Sequence, residues 1–477
     1  MKIEISPNTP EEEIQRIYQL QKTNLSKASG SGVKERCLKL RLLRKQIILH
    51  RTELQQAMYA DYNKPAPEVD IAEMLVLLNE IGQVIKKLKT WTSKQRVGTP
   101  WFLFGANSYI HYEAKGQVLV ISPWNFPIHL TLMPLIYSYA AGNVTLIKPS
   151  EYTPYTTVVV KKIIQTVFHE NEASVLEGDV SVSQYLLALK FNHIFFTGSP
   201  AVGKLVMKAA AHHLCSVTLE LGGKSPLIID ESADLSATCQ FAATTKLINS
   251  GQFCISPDYV LVHENIRGKF IQGFIKQLEY KFGSSPAELL KGNYSLMVNS
   301  RQLERVKHML DDAIDKGAKL EYGGVVKPEQ EFIGPTVLSG VTAEMKICSE
   351  EIFGPILFIK TYREIQEVIE HINSGDTPLS VYLFSKNLLT KQRIRREVKA
   401  GGLTINSMGI NYYNFNLPFG GLNQSGIGKS HGFWSFLEFS NAKAVMNQWS
   451  PIAGIHLVLP PFTRWTRKMI DLLLKLI

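Results

Sequence analysis

The chain has 477 residues, 45% of them hydrophobic and 20% charged, which gives enough apolar material for a large core and a length that calls for two or more domains. Its formal net charge of +10 would suit an acidic partner, but Lys and Arg are scattered without a basic block or aromatic–basic interleaving, so no nucleic-acid partner is expected. The five cysteines show neither CxxC spacing nor a companion His cluster, which argues against disulfides and a structural metal and for a reducing, cytoplasmic setting.

Residues 1–7 carry no apolar signal-peptide core and soon meet Glu11, Glu12 and Glu13, so no secretory signal is expected. Thr9 followed by Pro10 predicts a helix N-cap with proline at the first helical position, opening an all-helical stretch to about Thr92. From 93 to 114, aromatic and β-branched residues broken by Gly98-Thr99-Pro100 and Gly105-Ala106-Asn107 predict a β-hairpin arm. Strand-like runs then appear at 117–121, 143–147 and 193–196, alternating with helical patterns at 128–141, 155–168 and 203–212. This is the signature of βαβ units on a parallel sheet. The longest apolar run, 128–141, is too short to cross a bilayer.

A second α/β series begins near Gly222, with strands at 259–262 and 381–384 and helices at 266–282 and 301–316. The pattern predicts an α/β protein with a Rossmann-like dinucleotide-binding domain (1–92 and 115–221) and a second α/β domain (222–430). A hairpin oligomerisation arm (93–114 with 431–450) and a tail (451–477) complete it. In the tail, Phe462, Trp465, Met469, Leu472, Leu473 and Leu476 fall at helical spacing opposite Arg464, Arg467, Lys468 and Lys475. Such a basic amphipathic helix suits a membrane surface, but packing on the body or on a second subunit is the favoured expectation.

Three segments carry chemistry. Asn249-Ser250-Gly251-Gln252-Phe253-Cys254 places a thiol after a glycine turn, where it can face a cleft; a buried inert thiol is the bland alternative, kept for the other four cysteines. Leu219-Glu220-Leu221-Gly222-Gly223-Lys224 puts a carboxylate at the end of an apolar strand, where burial would raise its pKa and make it a general base, unless it is merely paired with Lys224. Pro123-Trp124-Asn125-Phe126-Pro127 offers an amide donor held between prolines, suited to an oxyanion and equally to a structural turn.

Together with Ile147-Lys148-Pro149-Ser150-Glu151, Phe196-Thr197-Gly198-Ser199, Glu350-Glu351-Ile352-Phe353-Gly354-Pro355 and Leu417-Pro418-Phe419-Gly420-Gly421, these segments resemble the aldehyde dehydrogenase superfamily, in that family's order and over nearly the whole chain. The short start before the first helices is most similar to the class 3 branch of fatty and broad-specificity aldehyde enzymes.

The resemblance implies that Cys254 attacks an aldehyde, that Asn125 and the Cys254 N–H hold the oxyanion, and that Glu220 activates the water releasing the acid, which sets the chain apart from acyl-CoA-forming relatives. It implies that Lys148 and Glu151 meet the adenosine ribose, that Gly198, Ser199 and Gly203 form the pyrophosphate turn, and that Glu351 and Phe353 hold the nicotinamide end. NAD is the expected cofactor, with NADP admitted. Phe419 is expected at the mouth of the substrate funnel, and Phe253 departs from the smaller residues common beside the nucleophile, favouring medium-chain, long-chain or aromatic aldehydes. A homodimer is expected. Two other readings fit parts of the pattern: a non-catalytic dinucleotide-binding relative, and a thiol esterase without redox turnover.

Overall fold

The computed structural model describes residues 8–290, 294–451 and 454–476. Residues 1–7, read above for a signal, and Ile477 lie outside them, as does the Leu476 side chain. The helical opening comprises Glu11–Ser29, Val33–Leu49, Arg51–Tyr62, Ala66–Val69, a wide turn at Asp70–Met74, and Leu75–Trp91. The first helix begins one residue later than expected: Pro10 is the cap residue, and the Thr9 hydroxyl instead donates to Glu177 O (2.9 Å), tying the chain start to the first sheet's flank. Leu75–Trp91 buries Val76, Leu77, Ile81, Val84 and Leu88 along one stripe, each contributing about 1.5–3 kcal/mol of apolar burial. Glu80 lies buried among them.

The first sheet has six strands in the order Gly426–Ile427, Ser216–Glu220, His193–Thr197, Gln117–Ile121, Val144–Lys148, Ala173–Val175, parallel except for the Gly426–Ile427 edge. The second has seven: Lys319–Tyr322, Thr336–Ser339, Ile356–Tyr362, Tyr259–His263, Pro226–Ile229, Ser380–Phe384, Gly402–Ile405, with only the Lys319–Tyr322 edge antiparallel. The first sheet's strands read as continuous apolar runs because both faces are covered. The pyrophosphate-turn helix runs over Pro200–Ala211, three residues ahead of its expected start.

The hairpin pairs Gln95–Val97 with Ala106–Ala114 and gains a third strand, Ser440–Gln448, matched to Ala106–Ala114 over its whole length. The expected boundary at 430 falls inside a return to the first body. Gly426–Ile427 already pairs with the Glu220 strand, and Gly432–Glu438, assigned above to the arm, packs on the helices Leu75–Trp91 and His129–Ala141.

The tail helix, Arg464–Leu476, packs on the turn Gly454–Val458. Thr466 is buried and Met469, Ile470 and Leu473 are half-buried, while Trp465 is 55% and Leu472 50% exposed, so the chain itself covers only part of the face read above as apolar. No helix among the described residues is long and apolar enough to cross a membrane.

Candidate active site

In the first sheet the chain leaves Gln117–Ile121 toward one edge, through Val144–Lys148 and Ala173–Val175, then returns to pair His193–Thr197 on the other side. The crevice at that reversal, beyond the strands' carboxyl ends, is where an open α/β sheet binds ligands. Asn125 follows Gln117–Ile121, Gly198 and Ser199 follow His193–Thr197, and Glu220 ends the neighbouring strand Ser216–Glu220. Their places are thus consequences of topology.

The nucleophile segment comes from the second body. The helix Leu235–Leu247 stops, and Asn249 (φ 53°), Ser250 (φ 52°) and Gly251 (φ 73°) follow in left-handed conformation, a run that costs about 1–3 kcal/mol per non-glycine residue and persists only where surroundings enforce it. Here they do. The Asn249 N–H donates to Glu68 Oε1 (2.7 Å), the Asn249 side-chain amide to Asn125 O (2.9 Å), and the Ser250 hydroxyl to Ser295 O. Only glycine fits at 251, because a Cβ there would stand 2.2 Å from Gly354 O.

Asn125 is fixed in the same way. Its carbonyl accepts from Tyr62 Oη (2.8 Å), Asn249 Nδ2 (2.9 Å) and Lys64 Nζ (3.4 Å). Its side-chain amide spends one N–H on Gln252 O (3.2 Å), leaving the second for a ligand.

Cys254, Glu220 and Asn125 all line one cavity of about 930 Å³. Burial pushes the Cys254 thiol well up, and the Glu351 and Glu220 carboxylates push it the same way, so the sulfur is held protonated at neutral pH.

Burial also raises the Glu220 carboxyl to about 8, against a smaller opposing pull from Ser430 and Lys429. Neither oxygen has a hydrogen-bond partner of good geometry among the described residues. The salt bridge considered with Lys224 does not form: Lys224 pairs with Asp258 and donates to Ile347 O and Glu350 O. Glu220 is thus a buried, unpaired carboxyl able to take a proton near neutral pH.

The other expected residues divide. Gly198, Ser199, Glu351, Phe353, Phe253 and Phe419 share the cavity wall with Cys254. Burial first, and then Asp258, raise Glu351 to about 7. Its carboxylate lies directly over Gly222, where a Cβ would come 2.1 Å from Glu351 Oε2. Phe353 (φ 47°) turns its ring edge-on to Trp124 at 5.4 Å.

Lys148 and Glu151 are apart from this wall and hold each other at 2.9 Å; Glu151 borders a separate small recess with Pro149 and Glu177. Gly203 is explained by packing, since a Cβ there would meet Leu221 at 2.7 Å. A dinucleotide fits this donor set. Ser199 caps the helix Pro200–Ala211, and its hydroxyl accepts the Val202 N–H at 3.4 Å. That places a helix N-terminus at the crevice, the usual receptor of a phosphate.

Sequence reasoning missed the groups behind the wall. Tyr412 lines the cavity and bonds His129 Nδ1 (2.7 Å), while His129 Nε2 meets Glu80 Oε2 (3.0 Å) and Tyr137 donates to Glu80 Oε1 (3.1 Å). With Nε2–H toward the carboxylate, Nδ1 accepts from the Tyr412 hydroxyl. His431, also on the wall, is lowered to about 4 by burial and so stays neutral. Arg305 donates to Glu351 O (2.9 Å) and Ile352 O (2.7 Å), steadying the Glu351 loop. The one sequence signal for any of these is Glu80, a charge on an apolar helical stripe.

The model of the aldehyde dehydrogenase family matches residues 3–445. The 4,4'-diaponeurosporen-aldehyde dehydrogenase of Staphylococcus aureus (strain NCTC 8325 / PS 47) is 39% identical over 424 residues, 89% of this chain and 91% of that protein. Aldehyde dehydrogenase family 3 member H1 of Arabidopsis thaliana is 37% identical over 425 residues, 89% and 87% of the two chains. The substrate-bound structure of Staphylococcus aureus AldH superposes with a TM-score of 0.91 at 36% identity, covering 96% of this chain and 99% of that one. Fold, motif order and relatives agree, and the chain belongs to the aldehyde dehydrogenase family.

Proposed function

We propose that the protein oxidises an uncharged medium-chain, long-chain or aromatic aldehyde to the free carboxylic acid, with Cys254 as nucleophile, Glu220 as base and Asn125 as oxyanion donor. One observation carries this reading: a single cavity wall joins the thiol, an amide with a spare donor, and a buried carboxyl, raised to about 8, with no ion-pair partner among the described residues. Because the thiol is held protonated, its proton passes to Glu220 as sulfur adds to the carbonyl carbon. The Asn125 amide and the Cys254 N–H hold the resulting oxyanion.

A bound nicotinamide dinucleotide supplies the hydride acceptor. After oxidation the acyl group stays on Cys254 as a thioester; Glu220 first releases the thiol's proton to solvent and, ionised again, takes a proton from the water that cleaves the thioester. Ser199 and Gly198 would face the pyrophosphate, Glu351 and Phe353 the nicotinamide end, and Lys148 and Glu151 the adenosine ribose. An acid at 151 disfavours a 2′-phosphate, so NAD is the proposed cofactor, with NADP accepted more weakly.

The substrate end is apolar, walled by Phe126, Leu130, Met133, Phe253, Tyr412 and Phe419. The free edge of Ser440–Gln448 suits a second copy of the chain, supporting a homodimer. A working thiol nucleophile supports a reducing, cytoplasmic location.

The test is nicotinamide reduction across an aldehyde panel, with product analysis in the presence of coenzyme A. Reduced nicotinamide with free acid supports the proposal. Ester cleavage without reduction supports a hydrolase, dinucleotide binding without turnover supports a binder, and acyl-CoA as product would overturn the role of Glu220.

A further inference from the structure

Lys224 lies four residues after the base Glu220, and Asp258 four residues after the nucleophile Cys254. The two form an ion pair beside the main cavity, in which the Asp258 side chain is only 4% exposed. Both reach a third segment. Lys224 Nζ also donates to Ile347 O (2.9 Å) and Glu350 O (2.7 Å), which spends all three ammonium hydrogens, and Asp258 Oδ1 accepts from the Ile352 N–H (2.8 Å). One ion pair thus joins the segments that carry the base, the nucleophile, and the loop with Glu351 and Phe353.

Without the pair, the three segments would not be equally secure. The turn before Cys254 is pinned by Glu68, Asn125 and Ser295, and Glu220 ends a strand paired on both sides, with Thr197 and Gly426. Lys224 and Asp258 themselves precede adjacent strands whose ladder sets Pro226 opposite Tyr259, so their own backbones have independent support. Residues 351–353 lie in no strand or helix. Their main chain is held by side chains: Glu351 O and Ile352 O by Arg305 (2.9 and 2.7 Å), and the Ile352 N–H by Asp258, with Glu350 O just before them on Lys224. The loop is therefore the part that the pair controls.

We propose that Lys224 and Asp258 are positioning residues for the oxidation step alone: through Glu350 O and the Ile352 N–H they set Glu351 and Phe353 against the Cys254 sulfur. This rests on the dehydrogenase reading above, in which Glu351 and Phe353 face the nicotinamide end.

Taking an ion pair out of water gains little net stability, so what the pair supplies here is direction: four fixed bonds that fit one placement of the loop. A displacement of about 1 Å at that loop costs on the order of 10²-fold in rate for a reaction that needs two groups aligned. Attack of the thiol on an ester, and hydrolysis of the acyl group that follows, use Cys254, Asn125 and Glu220 without a dinucleotide. The two activities should therefore separate when the pair is removed.

The experiment uses the full-length double variant Lys224→Met with Asp258→Asn, which removes both charges together and keeps an amide oxygen for the Ile352 N–H. Hydrolysis of p-nitrophenyl acetate without dinucleotide should stay within about twofold of the parent, which also verifies folding. Octanal-dependent NAD reduction should fall about 10²-fold in kcat, with a smaller change in KM for octanal. The rate ratio between octanal and its C1-deuterated form should rise, because hydride transfer becomes the slow step. If ester hydrolysis and NAD reduction fall by the same factor, or if NAD reduction stays within about twofold of the parent, the positioning role is overturned. Should the double variant not fold, Lys224→Gln, which keeps a donor for one carbonyl, is read by the same criteria. A parent that hydrolyses the ester and binds NAD without reducing it removes the dehydrogenase reading, and the positioning role falls with it.

Discussion

The turn at 249–254 and the helix Arg464–Leu476 both stand out in the sequence, one for its unusual residues and the other for its periodicity, yet the fold treats them in opposite ways. The turn is held by partners as distant as Glu68, Asn125 and Ser295, and its strain is the consequence of that grip. The helix keeps Trp465 55% and Leu472 50% exposed, while Met469 and Leu473 of the same face are only half-buried. Periodicity tells which face of a helix is apolar but not what covers it. A cluster of strained polar residues, by contrast, marks where long-range contacts converge.

Mutations sharpen this contrast. Cys254→Ala should reduce aldehyde-dependent nicotinamide reduction by at least about 10³-fold; parental turnover in that variant would break the site assignment outright. Glu220→Gln should slow acid release by about 10²–10³-fold and let an acyl adduct on Cys254 accumulate, visible by intact mass. In the parent, release should rise with pH through about 8, where the Glu220 carboxyl loses its proton, and that inflection should vanish in the variant.

Stability should run the other way. Glu220 at about 8 and Glu351 at about 7 are both raised above the ordinary carboxyl value. Their protonated forms favour the folded state, fully so below the unfolded carboxyl range, and that contribution is lost as pH rises through 7 to 8. Denaturant midpoints measured across that range should fall while turnover climbs.

Asn125→Ala should cost about 10²-fold in kcat with a smaller change in KM. Asn249→Ala removes the amide bond to Asn125 and places alanine at positive φ, which should cost about 1–3 kcal/mol in urea unfolding. The smallest effect is expected at the tail: deleting residues 462–477 should leave propanal turnover within about twofold and shift the melting temperature by no more than about 2 °C. Sedimentation with anionic vesicles tests the membrane idea in the same truncated protein, since binding equal to that of the full chain would remove it.

Much of this was legible in the amino-acid order. The apolar runs gave the central strands of the first sheet and Tyr259–His263 and Ser380–Phe384 of the second, though not the second sheet's other five, and the family motifs pointed to Cys254, Glu220 and Asn125, which the fold gathers on one wall. What escaped reading depends on segments far apart in the chain. Glu80, His129 and Tyr412 meet only after folding, and nothing local marks them as partners. The return of Gly426–Ile427 to the first sheet was hidden because two residues carry no periodicity.

The grip on the Asn125 carbonyl by Tyr62 and Lys64, together with that of Glu68 on Asn249, bears on how this catalyst can be rebuilt. The opening helices act as a splint for a reaction centre whose working groups come from elsewhere. A breakpoint for recombining this chain with a relative, placed anywhere between Tyr62 and Cys254, would separate splint from fracture site, whereas one after the Ser440–Gln448 strand would leave them joined.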